Sequence, residues 1–288
     1  MSNYSLNYMI QKTQEELRSQ GISEANLDAK QLIEWITGTN SIDRILRPDI
    51  CLSAEQIIQL EKVIKRRVAG EPVYRIIGMR EFYGISFALS QDTLEPRPDT
   101  ETLVDLVLPI LTKQIEKSKQ ATFLDMGTGS GAIAIAILKQ IPQTHAIAVD
   151  ISEDALNTAT QNATHANVAH RFTPLHSDWF TSVTGQFDLI ISNPPYIPEK
   201  DIKNLAKEVR LHDPLRALVG GKDGLDFYRK LACESANYLK EEGYIAVEIG
   251  YSQEKEVCNL FEKSGFKCLK MCEDLNGIPR ALLFARNN

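Results

Sequence analysis

The sequence has few of the features that mark secreted, membrane-spanning or metal-binding proteins. Its 288 residues contain five cysteines, and no two of them form a C-x-x-C pair. We therefore expect reduced, idle thiols and no metal site. The first residues do not combine a positive stretch with an apolar run, so no signal peptide is expected. No apolar segment approaches the length of a membrane span, and these absences together predict a cytoplasmic protein.

An excess of positive charge is also missing. The formal net charge is −6, whereas a protein that holds nucleic acid through a broad cationic face carries the opposite sign. Direct binding to nucleic acid is therefore not expected, although a local basic patch stays possible around Lys62, Lys65, Arg66 and Arg67. The hydrophobic fraction of 43% and the charged fraction of 24% are those of a globular protein of one large or two ordinary domains.

Residues 1–75 predict helices only. Leu6–Gln20 has a helical pattern, and Ser23 is placed to cap a second helix. Ser53 followed by Gln56 is a capping-box pattern before another apolar stripe. This segment carries no obvious chemistry, so we predict a small helical bundle that recognises a partner or covers a site. A purely structural role fits almost as well.

Residues 76–97 have a different composition. Val73–Ile77 and Glu81–Leu89 are rich in β-branched and aromatic residues and are broken by Gly78, which predicts a β-hairpin. Arg97 follows in a proline-stiffened turn, where its cation could meet a ligand carboxylate. A solvated arginine at a domain joint explains Arg97 about as well.

From residue 98 onward, strands alternate with helices. The predicted strands are Thr122–Met126, His145–Val149, Thr173–Ser177, Phe187–Ser192, Gly243–Ile249, Phe266–Cys272 and Pro279–Ala285. The alternation predicts an α/β fold with a mostly parallel, doubly wound sheet of seven strands. A turn signal at Asn276-Gly277 predicts a closing hairpin with one antiparallel edge strand. The predicted domains are a helical bundle at 1–75, a hairpin linker at 76–97 and an α/β domain at 98–288.

A glycine loop follows the first of these strands. Its residues are Gly127, Thr128, Gly129, Ser130 and Gly131. The spacing is GxGxG, not the GxGxxG of a dinucleotide-binding unit, so the loop could receive a pyrophosphate or the amino-acid portion of S-adenosylmethionine. Asp150 ends the next strand and could accept both ribose hydroxyls of either ligand.

The third strand ends on Asp178 and Trp179. Because ligands of open α/β sheets bind at the carboxyl ends of the strands, Asp178 could accept a hydrogen bond from an adenine amine and Trp179 could stack on the ring. The alternatives are a helix cap for Asp178 and a core position for Trp179.

The fourth strand, Phe187–Ser192, ends on Asn193, Pro194, Pro195 and Tyr196. Proline fixes φ and donates no hydrogen bond, so this loop is predicted to be stiff. The Asn193 side chain and the Pro194 carbonyl offer two acceptors beside the Tyr196 ring, an arrangement that suits the planar NH2 group of an amide or an exocyclic amine. A proline-rich strand exit without function is the alternative.

These motifs together resemble those of class I S-adenosylmethionine-dependent methyltransferases that modify amide or exocyclic nitrogens. Flanking residues resemble one family in particular, the peptide chain release factor glutamine methyltransferases (HemK/PrmC). They are Arg66-Arg67, Gly70-Glu71-Pro72, Tyr74, Gly78, Glu81-Phe82, Gly84, Phe87, Pro96–Glu101, Asp213-Pro214, Ala217-Leu218, Gly220-Gly221, Asp223–Leu225 and Tyr228-Arg229.

The resemblance implies transfer of a methyl group from S-adenosylmethionine to the side-chain nitrogen (N5) of the glutamine in a release factor's Gly-Gly-Gln motif, which supports translation termination. S-adenosylhomocysteine is then the product. The resemblance implies catalytic roles for Asn193, Pro194 and Tyr196, and substrate contacts from Asn193, Pro194, Pro195, Tyr196 and Arg97. It implies cofactor contacts from the glycine loop, Asp150, Asp178, Trp179 and Asn193.

No strong base is needed, so none is named, and Glu248 is treated as a bystander. A monomer is the simpler expectation for an enzyme that must enclose a large partner. The alternatives are a ribosomal-protein glutamine methyltransferase, an adenine-N6 nucleic-acid methyltransferase, an NAD-dependent oxidoreductase and a non-catalytic cofactor-binding module.

Overall fold

A computed structural model of the chain describes residues 4–47 and 49–287. The helices are α1 (Leu6–Ser19), α2 (Ala25–Thr37), α3 (Ser41–Leu46), α4 (Ala54–Val68), α5 (Val73–Ile77), α6 (Glu101–Ser118), α7 (Ala132–Gln140), α8 (Glu153–His165), α9 (Lys207–His212), α10 (Asp226–Glu234) and α11 (Glu254–Lys263). The strands are β1 (Met79–Phe82), β2 (Ile85–Ala88), β3 (Ala121–Met126), β4 (Thr144–Asp150), β5 (Phe172–His176), β6 (Phe187–Ser192), β7 (Leu239–Glu248), β8 (Phe266–Glu273) and β9 (Pro279–Arg286).

The chain forms two compact units. Among the described residues, one unit contains 4–47, 49–78 and 207–212, and the other contains 79–206 and 213–287. In the described part of the chain, no helix has both the length and the apolar character needed to cross a membrane.

The first unit is a helical bundle held by the apolar faces of its helices. Its core includes Leu6, Leu17, Leu32, Ile33, Leu60 and Ile64. The capping box at α4 is confirmed, because the Ser53 side chain accepts from the Gln56 backbone and the Gln56 side chain accepts from the Ser53 backbone. The predicted cap at Ser23 is wrong, since the N-cap of α2 is Glu24 and makes no side-chain cap hydrogen bond.

The predicted strand over Val73–Ile77 is also wrong, because these residues form helix α5. Pro72 occupies the N-cap position, and Gly78 ends the helix in the left-handed conformation at φ 77°. These two end signals outweigh the β-branched composition of a segment that is only five residues long. The hairpin is formed instead by β1 and β2.

Helix α9 comes from a later part of the chain and clusters with the helical unit. Arg67 links it to the bundle, with Nε 2.6 Å from Asp28 Oδ2 and Nη1 2.6 Å from Glu208 Oε1. The Arg67 side chain is only 6% exposed, so its charge needs both carboxylates as partners.

The second unit contains the predicted seven-stranded sheet, in the order β5-β4-β3-β6-β7-β9-β8. Strands β3 to β7 run parallel, and β9 pairs antiparallel with both β7 and β8. The α/β fold class is thus confirmed, with the antiparallel strand β9 second from one edge and β8 outermost. The strand order reverses at β3 and β6, which makes their carboxyl ends the switch point where such sheets bind ligands.

Candidate active site

A cavity of about 400 Å³ opens at the carboxyl ends of β3, β4 and β6. This volume is within the range of small-molecule sites, roughly 300–1,000 Å³. Most residues that the sequence singled out for the site line this cavity: Arg97, Gly127, Thr128, Gly129, Ser130, Asp150, Asp178, Trp179, Asn193 and Pro195. Gly131, Pro194 and Tyr196 are outside its lining.

The glycine loop presents bare backbone to the cavity. Gly129 has a φ of 55°, and a Cβ added there would meet no atom within 4 Å, so the space beside it is open. Gly131 differs, because its added Cβ would lie 3.1 Å from the Ala159 Cβ and 2.9 Å from the Ile135 Cδ1. Gly131 therefore allows α7 to begin in contact with α8, while Gly129 leaves room for a ligand.

Asp150 joins the glycine loop to the next strand end. Its Oδ2 accepts from the Gly129 backbone at 2.8 Å, and its Oδ1 accepts from the Ser152 backbone at 3.0 Å. Burial raises the pKa of Asp150, and these backbone hydrogen bonds oppose the shift. A carboxylate has about four acceptor positions, so Asp150 keeps acceptor capacity for a ribose hydroxyl beside these backbone hydrogen bonds.

Asp178 and Trp179 border the same cavity. Asp178 forms an exposed ion pair with Lys230, at 3.4 Å between Oδ1 and Nζ. The Trp179 ring stacks on Phe227, with ring centroids 4.8 Å apart and planes tilted by 26°. Trp179 also has a φ of 52°, which is rare for a bulky residue. The stacked pair provides an aromatic wall for a planar ligand ring.

Residues Asn193–Tyr196, here called the acceptor loop, leave the carboxyl end of β6. The Asn193 Nδ2 donates to the Thr100 hydroxyl at 3.2 Å, which assigns the NH2 side of the amide to Thr100 and leaves Oδ1 as the acceptor on the other side. The Tyr196 hydroxyl donates to Glu248 Oε1 at 3.3 Å, and the Tyr196 carbonyl accepts from Gln253 Nε2 at 3.1 Å.

Three glycines enclose the second half of the acceptor loop. A Cβ on Gly220 would stand 2.7 Å from the Pro195 carbonyl oxygen, and one on Gly224 would stand 2.3 Å from the Tyr196 carbonyl oxygen. A Cβ on Gly250 would lie 2.9 Å from the Tyr196 ring. Distances under 3.0 Å mean that a side chain at Gly220 or Gly224 would have to displace backbone atoms, whereas one at Gly250 would have to displace the Tyr196 or Gln253 side chain. The loop is therefore held by backbone packing as well as by its prolines.

Arg97 has a partner within the same unit. Its Nη2 lies 2.8 Å from Asp213 Oδ2, and the Asp213 side chain is nearly buried, whereas that of Arg97 is 41% exposed. Arg97 is therefore not a freely solvated arginine, and its cation already has a carboxylate partner. A contact with substrate would have to be shared with Asp213.

Two buried carboxyl groups near the site have no role assigned from the sequence. Asp125 lies in β3 below the glycine loop, where its Oδ2 accepts from the Thr128 hydroxyl at 2.7 Å. Glu248 ends β7 beneath the acceptor loop. Burial raises the pKa of Asp125 to about 7 and that of Glu248 to about 7. The available sequence signal for Asp125 is a carboxylate in a mostly apolar strand, two residues before the glycine loop.

Comparison with solved structures defines the fold class. The ribosomal protein L11 methylase of Lactobacillus delbrueckii subsp. bulgaricus matches with a TM-score of 0.50 at 21% identity, over 68% of this chain and 82% of that one. The second unit therefore has the Rossmann-like fold of class I methyltransferases, as predicted.

Family models and curated relatives are more specific. Residues 100–221 match the methyltransferase small domain, and residues 9–78 match the PrmC N-terminal domain. The release factor glutamine methyltransferase of Agrobacterium fabrum is 43% identical over 94% of this chain and 93% of its own length. The enzyme of that name from Caulobacter vibrioides is 39% identical over 95% of this chain and 93% of its own length. The chain belongs to the release factor glutamine methyltransferase family.

The cavity residues also fit S-adenosylmethionine. Gly129 leaves open space beside bare backbone for the amino-acid portion. Asp150 has acceptor capacity for ribose hydroxyls. Trp179 and Phe227 form an aromatic wall for an adenine ring.

Proposed function

We propose that this protein methylates the N5 amide nitrogen of the glutamine in the Gly-Gly-Gln motif of class I peptide chain release factors, with S-adenosylmethionine as the methyl donor. The observation that carries the proposal is the shared cavity: Asn193 and Pro195 of the acceptor loop line the same space as Gly127 and Gly129. The names of the relatives supply the substrate class.

When bound, S-adenosylmethionine supplies an electrophilic methyl group on a sulfonium centre. The glycine-loop backbone would receive its amino-acid portion, and Asp150 would accept from its ribose hydroxyls. Trp179 would stack against the adenine, and Asp178 would accept from the adenine amine. Asn193 stands where this side of the cavity meets the acceptor loop.

The acceptor loop overcomes the poor reactivity of an amide nitrogen, whose lone pair is delocalised into the carbonyl. Asn193 Oδ1 and the Pro194 carbonyl accept the two N–H hydrogens, so they orient the lone pair and favour positive charge on nitrogen. Tyr196 packs on the amide plane and excludes water. Holding the nitrogen in line with the methyl group contributes several kcal/mol by proximity. The N–CH3 bond would form as the S–CH3 bond breaks, with S-adenosylhomocysteine as the leaving group. The cationic N-methylated amide is strongly acidic, so it would give its extra proton to water without the help of a strong base.

The partner and assembly proposals are simpler. The helical unit takes part in recognising the release factor, and the enzyme acts as a monomer in the cytoplasm. Arg97 contributes to substrate binding through the exposed part of its guanidinium, while the same group keeps its ion pair with Asp213.

The test is mass spectrometry of a release factor after incubation with the protein and S-adenosylmethionine. We expect a single methyl group on the Gly-Gly-Gln peptide and no signal when that glutamine is replaced by alanine. Parallel reactions with ribosomal proteins, DNA and RNA test the two alternative substrate classes. An unmodified release factor beside a methylated ribosomal protein or nucleic acid would overturn the proposal.

A further inference from the structure

Glu248 occupies a position that the reaction scheme above leaves unused. Strands β6 and β7 are paired in parallel, with Ser192 opposite Val247, so Glu248 comes one residue beyond this pair, as Asn193 does. The Glu248 side chain is inside the protein, with the residue 1% exposed. A carboxyl group placed there costs free energy unless its surroundings compensate, so its contacts merit an explanation.

The contacts of Glu248 reach both ends of the acceptor loop. Oε1 accepts from the Tyr196 hydroxyl at 3.3 Å, and Oε2 is buried without a hydrogen-bond partner among the described residues. The Thr100 hydroxyl also favours the charged carboxylate and lowers the pKa of Glu248. That hydroxyl in turn accepts from Asn193 Nδ2 at 3.2 Å. Glu248 is thus connected directly to Tyr196 and through one hydroxyl to Asn193.

The direction of these hydrogen bonds follows from how many hydrogens each group has. A threonine hydroxyl has one hydrogen, and an ionised carboxylate can only accept. When the Thr100 hydrogen is directed at Glu248, the Thr100 oxygen can only accept from Asn193. The Asn193 amide must then turn its NH2 group to Thr100 and its Oδ1 away, as observed.

We propose that Glu248 is a positioning residue for the acceptor loop, which fixes the Asn193 amide through Thr100 and the Tyr196 ring through its hydroxyl. The inference rests on the proposed function, because it assigns the reason why Asn193 Oδ1 is available to a substrate amide. Glu248 itself touches neither substrate nor cofactor in this scheme.

The charge of Glu248 decides whether this arrangement holds. Four groups face it: Arg280 on β9, Asp99 before α6, Tyr196, and Tyr228 on α10, whose hydroxyl donates to the Glu248 carbonyl at 2.9 Å. Arg280 favours the charged form, whereas burial and Asp99 oppose it. A protonated Glu248 can donate a hydrogen bond, which frees Thr100 to donate to Asn193 Oδ1 and so removes the acceptor. Activity should therefore fall as the pH drops through about 7.

The experiment compares Glu248→Gln, Thr100→Val and Thr100→Ser with the wild type, using a release factor as methyl acceptor. Glu242→Gln is the matched control, because Glu242 lies on the same strand but its partner is the exposed Lys117. For each variant we would measure kcat and KM for both substrates, S-adenosylhomocysteine affinity by calorimetry, the melting temperature and the pH profile of kcat.

We expect Glu248→Gln to lower kcat about 100-fold, the cost typical of a slightly misplaced reacting group, with unchanged affinity for S-adenosylhomocysteine. In the Glu248→Gln variant, the decrease of kcat below about pH 7 should disappear. Thr100→Val should lower kcat about tenfold, while Thr100→Ser retains activity because it keeps the hydroxyl. Glu242→Gln should match the wild type.

A Glu248→Gln variant with wild-type kcat and an unchanged acidic limb would overturn the inference. So would Glu248 and Thr100 variants that lose cofactor affinity and melting temperature in parallel with kcat, since a general structural role predicts that pattern. If Glu248→Gln does not fold, equal kcat values for Thr100→Val and the wild type would overturn the inference as well. A wild type that methylates no release factor would instead overturn the proposed function, and that result is obtained before any variant is compared.

Discussion

The two sides of the cavity differ in whether backbone groups or side chains hold them in place. On the glycine-loop side, bare backbone lines the cavity at Gly127 and Gly129, and Asp150 is fixed by backbone N–H groups of Gly129 and Ser152. On the acceptor side, side chains hold one another, as Asn193 does with Thr100 and Tyr196 with Glu248. Backbone geometry tolerates most changes of side chain, whereas a side-chain network depends on each member. The acceptor side should therefore be the more sensitive to single substitutions.

The largest expected effect is on the acceptor side. Asn193→Ala removes the proposed amide acceptor, so we expect kcat to fall by roughly 1,000-fold or more, as when a preorganised polar group is deleted from an active site. S-adenosylhomocysteine affinity, measured by calorimetry, should stay within about tenfold, because the glycine loop is unchanged. Near-normal turnover in this variant would refute the role assigned to Asn193.

Gly129→Val, on the glycine-loop side, is expected to weaken cofactor binding more than it lowers kcat. The side chain would project into open cavity space from a residue at φ 55°, so it both occupies ligand volume and strains the backbone. We expect cofactor affinity to fall about 100-fold, with the loss appearing in KM for S-adenosylmethionine more than in kcat. An unchanged KM would show that the cofactor does not rest against this loop.

A smaller effect concerns the pH dependence of stability at the buried carboxyl group of Asp125. Burial raises the pKa of Asp125 from 3.8 to about 7, so the folded state binds more protons than the unfolded state between these values. Stability must then fall as the pH rises through this window. Asp125→Asn removes that loss. The melting temperature of the variant minus that of the wild type should therefore increase from pH 4 to pH 7 and stay constant above pH 7. Parallel melting curves for the two proteins would contradict the raised pKa.

The smallest effect is expected from the exposed pair of Asp178 and Lys230. Both side chains are about half exposed, and such pairs contribute at most about 1 kcal/mol. Lys230→Ala should change the free energy of unfolding, measured in urea, by less than this amount. A larger loss would mean that Lys230 supports the cavity wall through packing against its neighbours.

Much of the fold is predictable from the sequence because its signals are local. Strand β6 is apolar apart from Asp188 and its last residue, Ser192, and two prolines follow shortly after its end. The glycine loop and Asp150 follow from the ends of β3 and β4 in the same way. Asn193 stands out because a polar amide after a buried strand is unusual.

The contacts that complete the site join residues that are far apart in the sequence, so no local pattern predicts them. Glu248 approaches Tyr196 only because β7 pairs with β6 in one register, and Thr100 reaches Asn193 from a different element. Composition favours a strand over Val73–Ile77, and only the end signals at Pro72 and Gly78 indicate the helix that forms there. The clustering of α9 with the helical unit has no sequence signal at all.

The three glycines around the acceptor loop also limit how this enzyme can change during evolution. A Cβ on Gly220 or Gly224 would collide with backbone atoms of Pro195 or Tyr196, and one on Gly250 would collide with the Tyr196 and Gln253 side chains. A substitution at Gly220 or Gly224 is therefore expected to displace the acceptor loop. New acceptor specificity is therefore expected to arise from residues outside the acceptor loop.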